Sequence, residues 1–165
     1  MMTDTIPDVR KQITVEVSAV RAFTVFTEQF DTWWPRSHKI GGADLQEAVL
    51  ERRTGGRWYE RDVDGSECEW GTVLAYEPPH RLVLTWQIGG DWQFHADEAS
   101  EIEVIFTPQG EHTHVALEHR HLERHGESAA SLRDVVATED GGWTGLLRLY
   151  REALVSRSSA AELMQ

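Results

Sequence analysis

The spacing of apolar positions changes twice along the chain. Val9, Lys11, Ile13, Val15 and Val17 alternate with Arg10, Gln12, Thr14 and Glu16, so residues 9–17 are predicted as a half-buried strand. Ser18 stands where a helix N-cap belongs, and Ala22, Phe23, Phe26 and Phe30 follow at helical spacing. Residues 19–30 are therefore predicted as an amphipathic helix. Asp31-Thr32-Trp33-Trp34 adds a second short turn that Pro35 stops. Residues 36–44, with Gly41-Gly42, read as a loop.

From residue 45 to 121 the period is two. Strands are expected over 46–52, 57–62, 67–76, 81–88, 100–107 and 113–121. Thr54-Gly55-Gly56, Asp64-Gly65-Ser66, Glu77-Pro78-Pro79-His80 and Pro108-Gln109-Gly110-Glu111 supply turn chemistry between them, and Gly89-Gly90-Asp91 opens a longer loop. Short strands adjacent in sequence predict an antiparallel meander, which the first strand completes.

Residues 122–127 form a polar link and 128–139 read as moderately helical. After Gly141-Gly142, Trp143, Leu146, Leu147, Tyr150 and Leu154 make a helical stripe, so 142–155 is predicted as a long helix. The last ten residues, rich in Ser and Ala, are expected to fray. The predicted fold class is α+β: a curved seven-stranded antiparallel sheet wrapped around a long C-terminal helix, with two short helices after strand 1. Such a grip can leave an interior cavity, and cavities of this kind are mostly apolar with a few polar groups.

The length of 165 residues fits one domain, expected over 1–165 with its core at about 9–155. The charge is −12 and the charged fraction 27%, so a contact surface for nucleic acid is disfavoured. No apolar run reaches the ~18 residues of a transmembrane helix, and Met1 to Asp8 carries no signal-peptide pattern. The single cysteine, Cys68, excludes an intrachain disulfide and a Cys-rich zinc site. A cytoplasmic protein with no membrane insertion is expected. The unusual number is seven tryptophans. Each buried ring removes roughly 150–250 Å² from water, worth on the order of 4–6 kcal/mol. The rings either make one large core or line a pocket.

Five segments in fixed order resemble one family. They are Phe30-Asp31-Thr32-Trp33-Trp34-Pro35, Gly55-Gly56-Arg57-Trp58, Gly71 to Trp86, Val115-Ala116-Leu117-Glu118-His119-Arg120, and Gly142-Trp143-Thr144-Gly145-Leu146-Leu147. The family is the SRPBCC (START-like, helix-grip) superfamily, in the branch of the activator of the heat-shock-protein-90 ATPase. The resemblance spans about residues 10–155 and implies a helix-grip fold with an interior cavity. The wider superfamily binds lipids, sterols, polyketides and other hydrophobic molecules, and some members catalyse cyclisation or hydroxylation. The eukaryotic activator's chaperone-docking domain has no expected counterpart before residue 10. Fold alone does not give function.

The candidate ligand-binding residues are Trp34, Trp58, Trp70, Trp86, His119 and Trp143. Leu82, Leu84 and Trp86 share one strand face. Trp70, Thr72, Leu74 and Tyr76 are expected to share another, with Gly71, Val73 and Ala75 opposite, and which side faces inward is open. Each ring can be read as core packing or as pocket wall. His119 alternates with Val115 and Leu117, so it shares their face; there it could be a satisfied core histidine, a polar contact for a ligand, or a base. His112 with His114, and His119 with His121, are i, i+2 pairs that could chelate; His125 or a carboxylate from another strand could add a third ligand, but no spacing fixes it. Glu67 and Glu69 would raise the Cys68 thiol pKa, against a nucleophilic role. Glu69 or Glu101 could serve as an acid or base if turned inward. No catalytic residue, metal or cofactor is assigned.

The expected function is binding of a hydrophobic small molecule in the cavity. The alternatives are a chaperone-associated interaction module and a cyclase- or hydrolase-type enzyme using the same cavity. A chaperone contact and a homodimer are further candidate partners.

Overall fold

The computed structural model describes the backbone of residues 6–163 and side chains to residue 155. Its elements are β1 (Val9–Val15), α1 (Ala19–Thr27), α2 (Phe30–Trp33), β2 (Leu45–Leu50), β3 (Arg57–Asp62), β4 (Glu67–Glu77), β5 (Arg81–Trp86), β6 (Ser100–Gln109) and β7 (His112–Arg120). A 3₁₀ segment (Leu122–Ser128), α3 (Ala129–Val136) and α4 (Trp143–Leu163) follow. The seven strands form one antiparallel sheet in the order β1-β7-β6-β5-β4-β3-β2. This is the predicted α+β helix grip, with α1, α2 and α4 on the inner face and β1 closing the sheet against β7. Among the described residues, no helix is long and apolar enough to cross a membrane.

Local chemistry accounts for the boundaries. The Ser18 hydroxyl accepts from Arg21 N at 3.2 Å and caps α1. Trp34 is extended, as a residue before proline must be, so α2 stops there. The predicted helix 19–30 is two pieces, because the chain breaks between Thr27 and Phe30. α4 overruns its predicted end at 155 and reaches Leu163; residues 164–165 lie outside the described set, as do Met1 to Thr5.

β4 departs from simple alternation. Each of two register shifts puts one extra residue into it, Trp70 against β3 and Leu74 against β5. Each bulge turns the following residues to the other face. Trp70 and Val73 are thus both buried, while Leu74 is 43% exposed. The expected common face of Trp70, Thr72, Leu74 and Tyr76 is corrected by this: Tyr76 reaches the core and Leu74 does not.

The outer face of the sheet carries charge. Arg81 pairs with Glu103 at 2.6 Å, and Arg120 pairs with Glu103 at 3.1 Å and Glu101 at 3.0 Å. Glu69 is on the same kind of surface, 3.5 Å from Arg57. Neither Glu101 nor Glu69 turns inward.

Candidate functional site

Between the sheet, α2 and the start of α4 lies a cavity of about 300 Å³. Its wall is aromatic. Trp34, Trp70, Trp86, Trp92 and Trp143 line it, so five of the seven tryptophans meet there. Ile88, Val136 and Leu146 fill the gaps, and Ser37, His38 and Lys39 bring polarity to one side.

Five of the sequence candidates form a closed circuit of rings. Trp34 contacts Trp70 at 5.3 Å between centroids, Trp70 contacts Trp58 at 5.3 Å, and Trp58 contacts Trp86 at 5.8 Å. Trp86 contacts Trp143 at 6.1 Å, and Trp143 returns to Trp34 at 6.5 Å. Four of these rings reach the cavity. Trp58 stands behind Trp70 and Trp86 and is 1% exposed. Its Nε1 donates to Thr85 O at 2.7 Å across β4. Gly71 makes that crossing possible, since a Cβ there would collide with Thr85 O and Trp58 Nε1.

The indole N–H groups of the four ring-circuit residues on the wall are all committed to the protein. Trp34 Nε1 donates to His38 O at 2.9 Å, Trp70 Nε1 to Glu60 Oε1 at 3.1 Å, Trp86 Nε1 to Ile88 O at 2.7 Å, and Trp143 Nε1 to His119 Nδ1 at 3.1 Å. An indole has one donor and no acceptor. What these rings offer a guest is therefore carbon surface.

His119 does face inward with Val115 and Leu117, as the alternation predicts, but it is fully buried behind Trp86 and Trp143. It does not line the cavity. Because the Trp143 indole can only donate, His119 Nδ1 is the acceptor and the ring proton belongs on Nε2. Nε2 then donates to Ser100 Oγ at 2.8 Å. The Ser100 hydroxyl in turn lies 3.2 Å from Trp86 O and 2.7 Å from His125 Nε2. His125 Nδ1 points toward Glu98, 3.5 Å away. Burial, with His125 alongside, pushes the His119 pKa down to about 3, so the ring is neutral near pH 7. This is the geometry of a positioning group for Trp143 and not of a neutral-pH base.

The sequence reading missed Ser100 and Glu98 and weighed His125 only as a possible metal ligand, because a polar network assembled from β6, the 3₁₀ segment and a loop leaves no local spacing. Trp92 lies in the loop that Gly89-Gly90-Asp91 opens. It sits at a left-handed backbone position (φ 60°) in a small hairpin closed by an Ile88–Phe94 bridge. Ser128 anchors that hairpin by accepting Gly90 N at 2.9 Å. The His119–His121 pair is broken, since His121 adopts φ 61° past the end of β7 and its side chain is well exposed.

A helix grip around an apolar cavity is a fold of the START-like class. The model of the family described as "Activator of Hsp90 ATPase homolog 1-like protein" matches residues 16–151, and the chain belongs to that family. Among solved structures, it is 41% identical to Txn09, an anthrahydroquino-γ-pyrone synthase solved with SUM, over 92% of this chain and 99% of that one (TM-score 0.64). It is 33% identical to CalC, a self-sacrificing resistance protein from Micromonospora echinospora, over 92% and 96% of the two chains (TM-score 0.67). The AHSA1 protein of Silicibacter pomeroyi shares the fold at 24% identity over 92% and 99% (TM-score 0.61). A search of curated proteins gave no match.

Proposed function

We propose that the cavity binds a flat, polycyclic aromatic molecule. The observation that carries this reading is the wall of Trp34, Trp70, Trp86 and Trp143, whose N–H donors all turn outward into the protein. Such a wall favours stacking and apolar burial over directional polar recognition. Ser37, His38 and Lys39 supply polar contacts at one side. Trp58 and His119 act from behind, holding Trp70, Trp86 and Trp143 in place. The identity with a synthase of an anthrahydroquinone-fused pyrone supports an aromatic polycycle over a lipid chain.

Titrating intrinsic tryptophan emission with anthraquinones tests this. Saturable quenching with a raised thermal midpoint is expected. Flat emission and an unmoved midpoint across anthraquinones, flavonoids and fatty acids would overturn it.

A second reading, ring closure on such a guest, is favoured by His38. Its Nε2 lies 2.8 Å from Gly141 O, which can only accept, so Nε2 donates there, and Nδ1 faces Ser37 Oγ at 3.1 Å. Conversion of a linear polyketide precursor by the unaltered chain but not by His38→Ala is the expected outcome; binding without conversion removes this reading. The chaperone alternative rests on the family description, and an ATPase-stimulation assay tests it.

A further inference from the structure

The end of β3 holds two acidic side chains that do not line the aromatic cavity. Glu60 and Asp62 are both fully buried. Cys68 stands opposite Glu60 in the β3–β4 register. One ligand atom from each of the three lies within 4.8 Å of the other two.

The two carboxylates differ in their surroundings. Glu60 Oε1 accepts from Ile40 N at 2.6 Å and Trp70 Nε1 at 3.1 Å, and Oε2 accepts from Gly41 N at 3.1 Å. Asp62 has neither oxygen satisfied, although both are shut off from solvent. A buried carboxylate without a partner is strongly unfavourable. Gly41 covers the pair with bare backbone, since a Cβ there would collide with Asp62 Oδ2. Lys39 is the cation that acts on Asp62, and its ammonium donates to Gly41 O at 2.6 Å. One ammonium against two carboxylates leaves a net negative charge to be met.

We propose that Glu60, Asp62 and Cys68 bind a single divalent metal ion of zinc or cobalt type. Two carboxylate oxygens and one thiolate form a borderline-soft donor set, and three protein ligands plus a water give four-coordination. A shallow groove beside Ile40, Trp92 and Phe94 reaches Cys68 from solvent. On binding, a metal–sulfur bond replaces the S–H bond and the thiol proton leaves to water. A dication would supply the charge that the unpartnered Asp62 oxygens lack.

The test is titration of the chelator-treated full chain with Zn²⁺ and Co²⁺. Saturation at one equivalent, a raised thermal midpoint and a thiolate-to-cobalt charge-transfer band are expected. Cys68→Ser should remove the band, and Asp62→Asn should weaken binding at least about tenfold. His95→Ala, in the separate group of His95, Asp97 and Glu98, should change neither. No saturable uptake, uptake without the band, or full affinity in Asp62→Asn overturns the proposal and leaves Glu60 and Asp62 as a proton-sharing pair. Should Asp62→Asn fail to fold, the Cys68→Ser titration and the cobalt spectrum of the unaltered chain decide.

Discussion

The two ends of the interior are both aromatic, yet one is solid and the other hollow. Near α1, Phe23 and Phe26 meet Phe106 at 5.2 and 5.6 Å, and Phe26 meets Tyr150 at 5.1 Å. Around the start of α4, Trp34, Trp70, Trp86 and Trp143 leave a cavity of about 300 Å³ between them. The difference lies in where the polar atoms are tied. At the solid end Tyr150 OH donates to Ala22 O at 2.6 Å and Trp33 Nε1 to Val25 O at 3.3 Å, both on α1. Those bonds draw rings and helix together. At the hollow end the four indoles are tied to His38, Glu60, Ile88 and His119, on separate parts of the frame. Each ring is held back against its own support, and the space between them stays open.

Acid breaks the hollow end first. His119 has its pKa depressed to about 3 by burial, and His125 is also lowered, chiefly by burial. The unfolded chain takes up these protons near the ordinary value of about 6.5, so their contribution is intact above that pH. It is lost progressively as pH falls from about 6.5 toward 3. For His119 the full loss is on the order of 5 kcal/mol. Urea unfolding at stepped pH should show it, with a shallower acid slope in His119→Gln.

Phe26→Ala should cost about 3–5 kcal/mol in urea unfolding while leaving anthraquinone affinity of the folded protein unchanged. An affinity loss would mean the two ends are not independent. Leu146→Trp fills the cavity, so the expected result is lost quenching with stability within about 1.5 kcal/mol of the parent. Unaltered binding would place the guest elsewhere. The smallest stability effect is expected for Trp92→Ala: this ring is 43% exposed, so its removal should cost under about 1 kcal/mol yet weaken binding.

The solid end was legible because it repeats at fixed spacing. Ala22, Phe23 and Phe26 on one helix and Leu147, Tyr150 and Leu154 on another predict a buried stripe, and they are buried. The hollow end was legible in composition and blurred in depth. All five tryptophans chosen from sequence do meet in one circuit, but periodicity gives a direction and not a distance. His119 points inward and stops behind two rings. Trp58 points inward and crosses Gly71 to bond Thr85. The bulges in β4 carried no advance signal, since an inserted residue shows itself only in the pairing of two strands. Glu60 and Asp62 fall among alternating charges, and nothing local separates a buried acid there from a solvated one.

The outward commitment of every indole donor in the ring circuit has a consequence for selectivity. A guest surrounded by carbon gains nothing from a hydroxyl placed at one ring position over another, and loses little from its removal. Discrimination then falls on bulk and planarity, with the substitution pattern read at the one edge where Ser37, His38 and Lys39 stand. On the proposed function, such a site would accept a congeneric series and rank its members by size.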